Sequence, residues 1–229
     1  MKFIVDDANI EHIKNIYDVF AVDGVTTNPS ILAKNGKPPF ETLKEIREFI
    51  GCDGELHVQV VADTVEEMIE DAYRIQEELG NNTYIKIPTI KEGLRAMKIL
   101  RAEGVQITAT AIYTVMQAFL AAKAGAHYVA PYVNRIDNLG ADGIQTVKGI
   151  HDIFRNHNFA TKILAASFKN SMQVLELCRY GIDAVTIGPD VIEGFIQNDS
   201  VDMAVRVFQQ DFEQLCGVGK TMKDCDLYM

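Results

Sequence analysis

The first reactive group that this sequence suggests is a lysine in the middle of a short apolar run. Lys86 stands between Ile85 and Ile87, and successive side chains of a β-strand point to opposite faces. If the two isoleucines pack against a layer of helices, Lys86 points toward the interior. Burial removes the hydration that stabilises the ammonium form, so the pKa of Lys86 is expected to fall toward neutrality. A neutral amine can attack a ketone to form a Schiff base, whose iminium draws electrons from an adjacent carbon–carbon bond.

Polar side chains follow the same inward alternation in the neighbouring strand-like runs. The set predicted to point inward is Asp6, Thr26, Asn28, His57, Gln59, Thr108, Thr110, Tyr132, Asn134, Ser167 and Thr186. In the seventh run, Leu164 and Ala166 are expected to point outward. Barrel interiors are usually packed with Val, Ile and Leu, so a polar set of this size indicates a functional site. A hydrogen-bonded network around buried water is the structural alternative.

Four of these inward groups suit the proton transfers that Schiff-base chemistry requires. Formation of the carbinolamine, and bond cleavage beside a C4 hydroxyl, both need an acid or base within reach. Asp6, Gln59, Thr110 and Tyr132 are the candidates, with Lys86 as the nucleophile. The sequence has no H-E-x-x-H motif and no cluster of His and Cys residues, so we expect a reaction that needs no metal or other cofactor.

These residues lie in a regular alternation of β-rich runs and stretches with helical periodicity. The predicted strands cover residues 3–6, 24–28, 56–62, 83–88, 106–112, 128–134, 161–168 and 184–189. The predicted helices cover residues 10–20, 40–50, 65–79, 92–102, 114–124, 143–156, 171–180, 191–196 and 201–215. Eight such units in 229 residues are typical of an α/β protein with a (β/α)8 TIM barrel, here with an extra C-terminal helix. A doubly wound open sheet is the alternative.

No linker rich in Pro, Gly or Ser divides the sequence. We therefore predict a single domain over residues 1–216, which includes the C-terminal helix, and a flexible tail over residues 217–229. The last helix carries an apolar stripe with no following strand to cover, so it is expected to pack on its own barrel or on a neighbouring subunit. The stripe consists of Val201, Ala204, Val205, Phe208, Phe212 and Leu215.

The composition narrows the class of protein. With 22 basic and 32 acidic residues the formal net charge is -10, which disfavours nucleic acids and anionic membranes as partners. Four cysteines without a C-x-x-C pair are too few for a disulfide framework, so a reducing, cytoplasmic setting is expected. A membrane span is not expected either, because no run of about 18 apolar residues occurs.

Five motifs give the sequence a specific resemblance. They are GVTTNPS at residues 24–30, IKIP at 85–88, TAIY at 110–113, APYVNRID at 130–137 and AASFK at 165–169. With these motifs, the sequence resembles the fructose-6-phosphate aldolases and the small transaldolases, from the first predicted strand to Phe212. The resemblance implies a class I aldolase, which works through a Schiff base and without a metal, on sugar phosphates as small-molecule partners.

The resemblance also implies roles for individual residues. Lys86 would be the Schiff-base lysine, and Asp6 and Asn28 would contact the bound dihydroxyacetone unit. Thr110 would help to hold the catalytic water. The remaining candidates would bind substrate. Arg135 and Ser167 would bind its phosphate, and the others are Thr26, Asn134 and Lys169. The family typically assembles as a decamer of two pentamers, in which the C-terminal helix crosses to a neighbour, so a homo-oligomer is expected.

Two positions favour an aldolase over a transaldolase. This chain has Gln59 and Tyr132, where the small transaldolases carry Glu and Phe. An aldolase must protonate the enamine and release free dihydroxyacetone, and a phenol supplies the acid that phenylalanine lacks. We therefore expect cleavage of fructose 6-phosphate to dihydroxyacetone and glyceraldehyde 3-phosphate, and the reverse reaction.

Two alternatives remain open from the sequence. One is a transaldolase that passes the dihydroxyacetone unit between sugar phosphates in the pentose phosphate pathway, and the other is a sugar-phosphate-binding barrel without turnover. Two residues depart from the family pattern: Thr108 stands where the aldolases are apolar, and Lys169 stands where larger transaldolases carry Arg. A lysine lacks the bidentate fork of an arginine, which would loosen phosphate recognition. The sequence assigns no role to His57.

Overall fold

The architecture is a closed barrel of eight parallel strands, seen in a computed structural model that describes residues 1–225. The strands are β1 (Lys2–Asp6), β2 (Gly24–Thr26), β3 (Glu55–Gln59), β4 (Tyr84–Pro88), β5 (Ile107–Ile112), β6 (Tyr128–Pro131), β7 (Lys162–Ala165) and β8 (Ala184–Ile187). Each strand pairs with the next, and β8 pairs with β1 to close the ring. The predicted (β/α)8 barrel is therefore confirmed, and the alternative of an open sheet is wrong.

Helices join the strands on the outside of the barrel. They are α1 (Ile10–Val19), α2 (Pro29–Asn35), α3 (Pro39–Ile50), α4 (Val65–Leu79), α5 (Lys91–Ala102), α6 (Val115–Lys123), α7 (Val133–Asn138), α8 (Gly143–Asn156) and α9 (Ser171–Tyr180). After the last strand the chain continues with α10 (Pro189–Glu193) and α11 (Asp199–Cys216). Helix α2 was not predicted, and α7 occupies the end of what was predicted as the sixth strand. Both helices have seven residues or fewer, too few for a helical period to stand out.

Gly93 shows how closely a helix approaches the strand that carries Lys86. A Cβ atom at this position in α5 would lie 2.0 Å from the carbonyl oxygen of Pro88, the last residue of β4. Only glycine allows this approach. The contact therefore fixes the carboxyl end of β4, two residues beyond Lys86, against its own helix.

The seventh strand faces the opposite way from the sequence prediction. Leu164 packs inside the barrel with Ile4, Tyr128 and Ala184, whereas its neighbours Ile163 and Ala165 belong to the core between strands and helices. The expected outward positions of Leu164 and Ala166 are therefore wrong. Positions 163–166 of the sequence are all apolar, so alternation alone does not reveal which side faces inward.

A polar and aromatic layer fills the amino-terminal end of the barrel. The Glu55 carboxylate accepts hydrogen bonds from Lys2 Nζ at 2.5 Å and from the Tyr128 hydroxyl at 3.3 Å. His57 is fully buried, stacks on Tyr84 at 4.5 Å between ring centroids, and has its Nε2 3.5 Å from Glu55 without hydrogen-bonding geometry. Burial alone would raise the pKa of the Glu55 carboxyl, but His57 and Lys2 outweigh it and lower the pKa to about 2.

The chain separates into two compact units, Met1–Gly194 with the barrel and Phe195–Met229 with α11. A single domain over residues 1–216 therefore stays a prediction. In the second unit a short 3-10 turn at Met222–Asp224 follows α11. Of the predicted flexible tail, residues 226–229 lie outside the described residues. Among residues 1–225, no helix combines the length and the apolar character needed to span a bilayer.

Candidate active site

A cavity of about 230 Å³ lies at the carboxyl ends of the strands. Seven of the predicted site residues line it: Asp6, Thr26, Asn28, Lys86, Tyr132, Arg135 and Ser167. Barrel enzymes keep their active sites at this end, because the loops that follow the strands meet there. The cavity therefore joins an amine, a carboxyl, a phenol and a guanidinium in one space.

Lys86 forms the inner end of this cavity. Its side chain is almost fully buried, at 5 % exposure, and its Nζ donates a hydrogen bond to the carbonyl oxygen of Thr27 at 2.6 Å. Burial lowers the pKa of Lys86, the nearby Asp6 carboxylate opposes that effect, and the Arg135 cation adds to it. The result is an amine that gives up its proton more readily than an ordinary lysine.

Asp6 is the carboxyl that faces this lysine. The Thr26 hydroxyl donates to Asp6 Oδ1 at 2.6 Å and lies 2.6 Å from the Thr186 hydroxyl, so three side chains of β1, β2 and β8 form a chain. Burial raises the pKa of Asp6, while Lys86 and the Thr26 hydrogen bond hold it down. Asp6 and Lys86 thus form an acid–base pair that can exchange protons with a molecule bound in the cavity.

Tyr132 carries the phenol of the site. Its hydroxyl lies 2.7 Å from the Thr110 hydroxyl, and the guanidinium of Arg135 lies over its ring, 4.7 Å from the centroid. Thr110 does not itself line the cavity, but its hydrogen bond positions the phenol of Tyr132. Ala111, the next residue of β5, has a positive φ of 55°, an uncommon conformation that tends to occur at functional sites.

The outer part of the cavity is cationic. Exposed Arg135 on α7 and Lys34 on α2 both line it, and neither forms an ion pair with any residue in the described range 1–225. Ser167 reaches the cavity because its backbone takes the left-handed conformation, with φ 61°, just after β7. Its predicted inward position therefore results from a turn rather than from strand alternation.

Ser30, Ile31 and Lys34 line the cavity although the sequence analysis did not select them. All three lie on α2, where Asn28 caps the helix by accepting a hydrogen bond from the Ile31 N–H at 3.0 Å. An asparagine followed by proline is a recognisable helix start, and it was the signal available in the motif GVTTNPS. A prediction of α2 would have placed its first turns at the carboxyl ends of the strands and so selected these residues.

Besides Thr110, three predicted residues do not line this cavity. Gln59 pairs in register with Lys86, yet it is a lining residue of a separate cavity of about 540 Å³ beside α2 and α4. Asn134 lies on α7, where its backbone N–H donates to the Ser167 carbonyl at 2.7 Å. Lys169 is exposed, and its backbone N–H donates to the Gln173 side chain.

The two residues without an assigned role meet below the cavity. His57 Nδ1 lies 2.9 Å from the Thr108 hydroxyl, and Thr108 is the register partner of Lys86 on β5. Burial lowers the pKa of His57 more than the Glu55 carboxylate raises it. His57 is therefore a neutral member of the layer beneath the lysine at neutral pH.

Comparisons with known proteins agree with this geometry. The chain matches the family described as Transaldolase/Fructose-6-phosphate aldolase over residues 3–225. It is 42% identical over 213 residues to a probable fructose-6-phosphate aldolase of Streptococcus pneumoniae, covering 93% of this chain and 96% of that protein. It is 40% identical over 215 residues to a probable transaldolase of Thermodesulfovibrio yellowstonii, covering 94% and 99% of the two chains.

A solved structure shares the fold alone. The crystal structure of inosine 5'-monophosphate dehydrogenase from Legionella pneumophila superposes with a TM-score of 0.57 at 15% identity, covering 83% of this chain and 58% of that one. At this identity the likeness extends to the barrel and not to the chemistry. The family match, in contrast, covers residues 3–225, and the two relatives above are 40% and 42% identical over nearly the whole chain. This chain therefore belongs to the transaldolase/fructose-6-phosphate aldolase family.

Proposed function

We propose that this chain is a Schiff-base aldolase that cleaves fructose 6-phosphate to dihydroxyacetone and glyceraldehyde 3-phosphate, and catalyses the reverse reaction. The observation that carries the proposal is the buried amine of Lys86 in a cavity that also holds Asp6 and Tyr132. Family membership supports an aldol reaction of this type, and the relatives include a probable fructose-6-phosphate aldolase and a probable transaldolase.

The proposed reaction begins at the C2 ketone of the sugar. The neutral Lys86 amine attacks C2, and the carbinolamine takes up a proton and loses water to give an iminium. A base then removes the proton of the C4 hydroxyl, the C3–C4 bond breaks, and its electrons neutralise the iminium as an enamine. The phosphorylated aldehyde leaves. Protonation at C3 and addition of water at C2 finally release dihydroxyacetone and restore the amine.

Asp6 and Tyr132 are the groups proposed to move these protons. Asp6 faces Lys86 and suits the proton transfers of carbinolamine formation and hydrolysis. Tyr132, with its hydroxyl 2.7 Å from Thr110, suits the C4 hydroxyl and the protonation of the enamine. The role of Gln59 in these proton transfers stays a prediction.

The outer cations and Ser167 are proposed to bind the phosphate. Arg135 and Lys34 lack carboxylate partners among the described residues, so an anionic group can bind there without displacing an ion pair. A guanidinium and an ammonium together also suit a dianion in a protein whose net charge is -10. Substrate contacts by Thr26, Asn28, Asn134 and Lys169 stay predictions.

Transaldolase is the second candidate, because probable transaldolases are among the relatives. The Tyr132–Thr110 pair favours the aldolase, since it offers a phenolic acid for the enamine. The two activities are separated by measuring release of free dihydroxyacetone against transfer to erythrose 4-phosphate. Transfer much faster than release would reverse the ranking.

Borohydride reduction separates both activities from binding without turnover. With dihydroxyacetone present, reduction should add its mass to the peptide that contains Lys86, and the variant Lys86→Met should show no adduct. Absence of the adduct in the unsubstituted chain would leave only a binding role for the cavity.

We also propose that the protein is a homo-oligomer in the cytoplasm, and specifically a decamer of two pentamers. Apolar side chains on α11 support an assembly, because Phe208 and Leu215 are 69% and 73% exposed in the single chain. The sparse, unpaired cysteines support a cytoplasmic setting. Analytical ultracentrifugation tests the assembly, and a monomer at micromolar concentration would contradict it.

A further inference from the structure

The segment that follows α11 folds back and brings two cysteines together. The backbone N–H of Gly219 donates to the Glu213 side chain at 2.9 Å. Thr221 and Asp224 cap the 3-10 turn with reciprocal hydrogen bonds. At the end of this path, the sulfur of Cys225 lies 3.3 Å from that of Cys216.

The two thiols are arranged for sequential reaction. Cys225 is exposed and donates its S–H to Cys216, which is partly exposed. This hydrogen bond raises the pKa of the Cys225 thiol. The Cys225 proton is engaged in this hydrogen bond, so Cys225 is the poorer first nucleophile and Cys216 reacts first. The other two cysteines, Cys52 and Cys178, are exposed, and neither contacts a second thiol within the described residues.

We propose that Cys216 and Cys225 are a redox modification site, which a glutathione-type disulfide converts to an intramolecular disulfide. The Cys216 thiolate attacks the oxidant, forms a mixed disulfide and releases one thiolate. Cys225 loses its proton, attacks Cys216 in the mixed disulfide and releases the second thiol. In balance, two protein thiols are oxidised and one small disulfide is reduced to two thiols. The inference does not depend on the proposed aldolase activity.

The disulfide would close one wall of a cavity in the second unit. A space of about 530 Å³ lies between Phe208 and Phe212 of α11 and the returning segment that carries Lys220 and Met222. Closing the ring from residue 216 to residue 225 would hold that segment in place over the apolar side chains. Oxidation would thus slow tryptic cleavage after Lys220.

The test is peptide mapping of the full-length protein after treatment with oxidised glutathione. We expect one intramolecular disulfide that links Cys216 and Cys225, with a mass lower by two hydrogens. In Cys225→Ser, the mixed disulfide of Cys216 with glutathione should accumulate, because no thiol resolves it. The matched control Cys178→Ser should still form the disulfide. In the oxidised protein, cleavage after Lys220 should be slower by roughly tenfold, as expected for a closed segment.

Three results would overturn the proposal. One is stable glutathione adducts on both cysteines of the unsubstituted protein, and another is a disulfide that involves Cys52 or Cys178. The third is an intermolecular disulfide between chains, detected as a dimer on a non-reducing gel. Each outcome is independent of borohydride trapping at Lys86, so failure here and failure of the proposed reaction are distinguishable.

Discussion

At the scale of single residues, Lys86 and Asp6 control each other's protonation. Lys86 is buried and Asp6 is half-buried, and burial lowers the pKa of Lys86 while it raises that of Asp6. Their mutual attraction acts against both shifts. A change at Asp6 should therefore appear in the pH dependence of the amine.

The variant Asp6→Asn should move the pH profile of borohydride trapping to lower pH. The Asp6 carboxylate raises the pKa of Lys86, so its removal lowers that pKa and makes the neutral amine available at a lower pH. The midpoint of the profile is the measurement, and the maximal rate reports separately on proton transfer. The variant Asp7→Asn is the control and should leave the midpoint in place. A midpoint that moves to higher pH would contradict the assignment of the pair.

The variant Tyr132→Phe should slow aldol cleavage by roughly 100-fold, the effect of losing a general acid or base. Trapping of the iminium at Lys86 should persist, because the phenol is proposed to act after the amine. Tyr113 packs edge-on against the Tyr132 ring, with centroids 5.6 Å apart, so Tyr113→Phe is a control with the same chemical change. Unchanged cleavage by Tyr132→Phe would assign the proton transfer to another group.

The variant Lys34→Met should raise KM for fructose 6-phosphate by roughly five- to tenfold, as expected when one ionic contact to an anion is lost. Condensation of dihydroxyacetone with unphosphorylated glyceraldehyde should be unchanged, because that aldehyde has no anionic group. Lys37 is the matched control, since it pairs with Glu45 at 3.0 Å and lines the other cavity. Equal effects on both aldehydes would show that Lys34 does not contact the phosphate.

At the scale of elements, the sequence predicted the strands well where apolar and polar residues alternate. Lys86 between two isoleucines is the clearest case, and β4 was predicted within one residue of its observed start. Alternation failed in β7, where Leu164 lies between apolar neighbours and gives no direction. It also failed after the strands ended, because Ser167 reaches the cavity through a left-handed backbone and Asn134 lies on a helix.

The short helices explain the other omissions. Helix α2 carries Lys34 to the cavity, and a seven-residue helix has no periodic pattern of its own. The motifs were enough to select most of the residues that line the cavity. The direction in which each side chain points, in contrast, depends on the backbone geometry. Gln59 illustrates the difference, because it lies in register with Lys86 and still lines another cavity.

The layer around Glu55 on β3 should make stability depend on acidity. Since the pKa of Glu55 is lowered from 4.5 to about 2, its contribution is present above pH 4.5 and is lost as the pH falls toward 2. In urea unfolding at pH 7, Glu55→Gln should lower the free energy of unfolding by roughly 2–3 kcal/mol. This difference from the unsubstituted protein should shrink between pH 5 and pH 2.

Glu77→Gln is the control for that experiment. Glu77 also pairs with a cation, Arg74, but its side chain is 70% exposed, so solvent screens the pair. We expect a change of less than about 1 kcal/mol at pH 7. If Glu55→Gln were as mild as this control, the layer at the amino-terminal end would not be held by its carboxylate.

At the scale of the whole molecule, the exposed apolar side chains of α11 require an explanation. The unit that contains α11 has no buried residue within that helix, and Phe208, Met203 and Leu215 are each more than two-thirds exposed. Such exposure is unusual for a chain that stays monomeric. Burial in an assembly would resolve it.

The variant Phe208→Glu should therefore reduce the mass of the assembly in analytical ultracentrifugation. A carboxylate in a buried interface carries a desolvation cost of several kcal/mol, enough to shift the association strongly at micromolar concentration. The control Gln210→Glu adds the same charge at a polar position of α11 and should leave the mass unchanged. Equal masses for the two variants would show that Phe208 lies outside the interface.

The filled amino-terminal end of the barrel also affects the order in which the two products leave. Ile4, His57, Tyr128, Leu164 and Ala184 are each 2% exposed or less, so they block passage through that end. In the proposed reaction, dihydroxyacetone stays attached to Lys86 at the inner end, while the aldehyde lies nearer the outside. The aldehyde must then leave first, through the same opening of the cavity by which the sugar entered. Excess aldehyde should consequently intercept the attached three-carbon fragment and slow net cleavage.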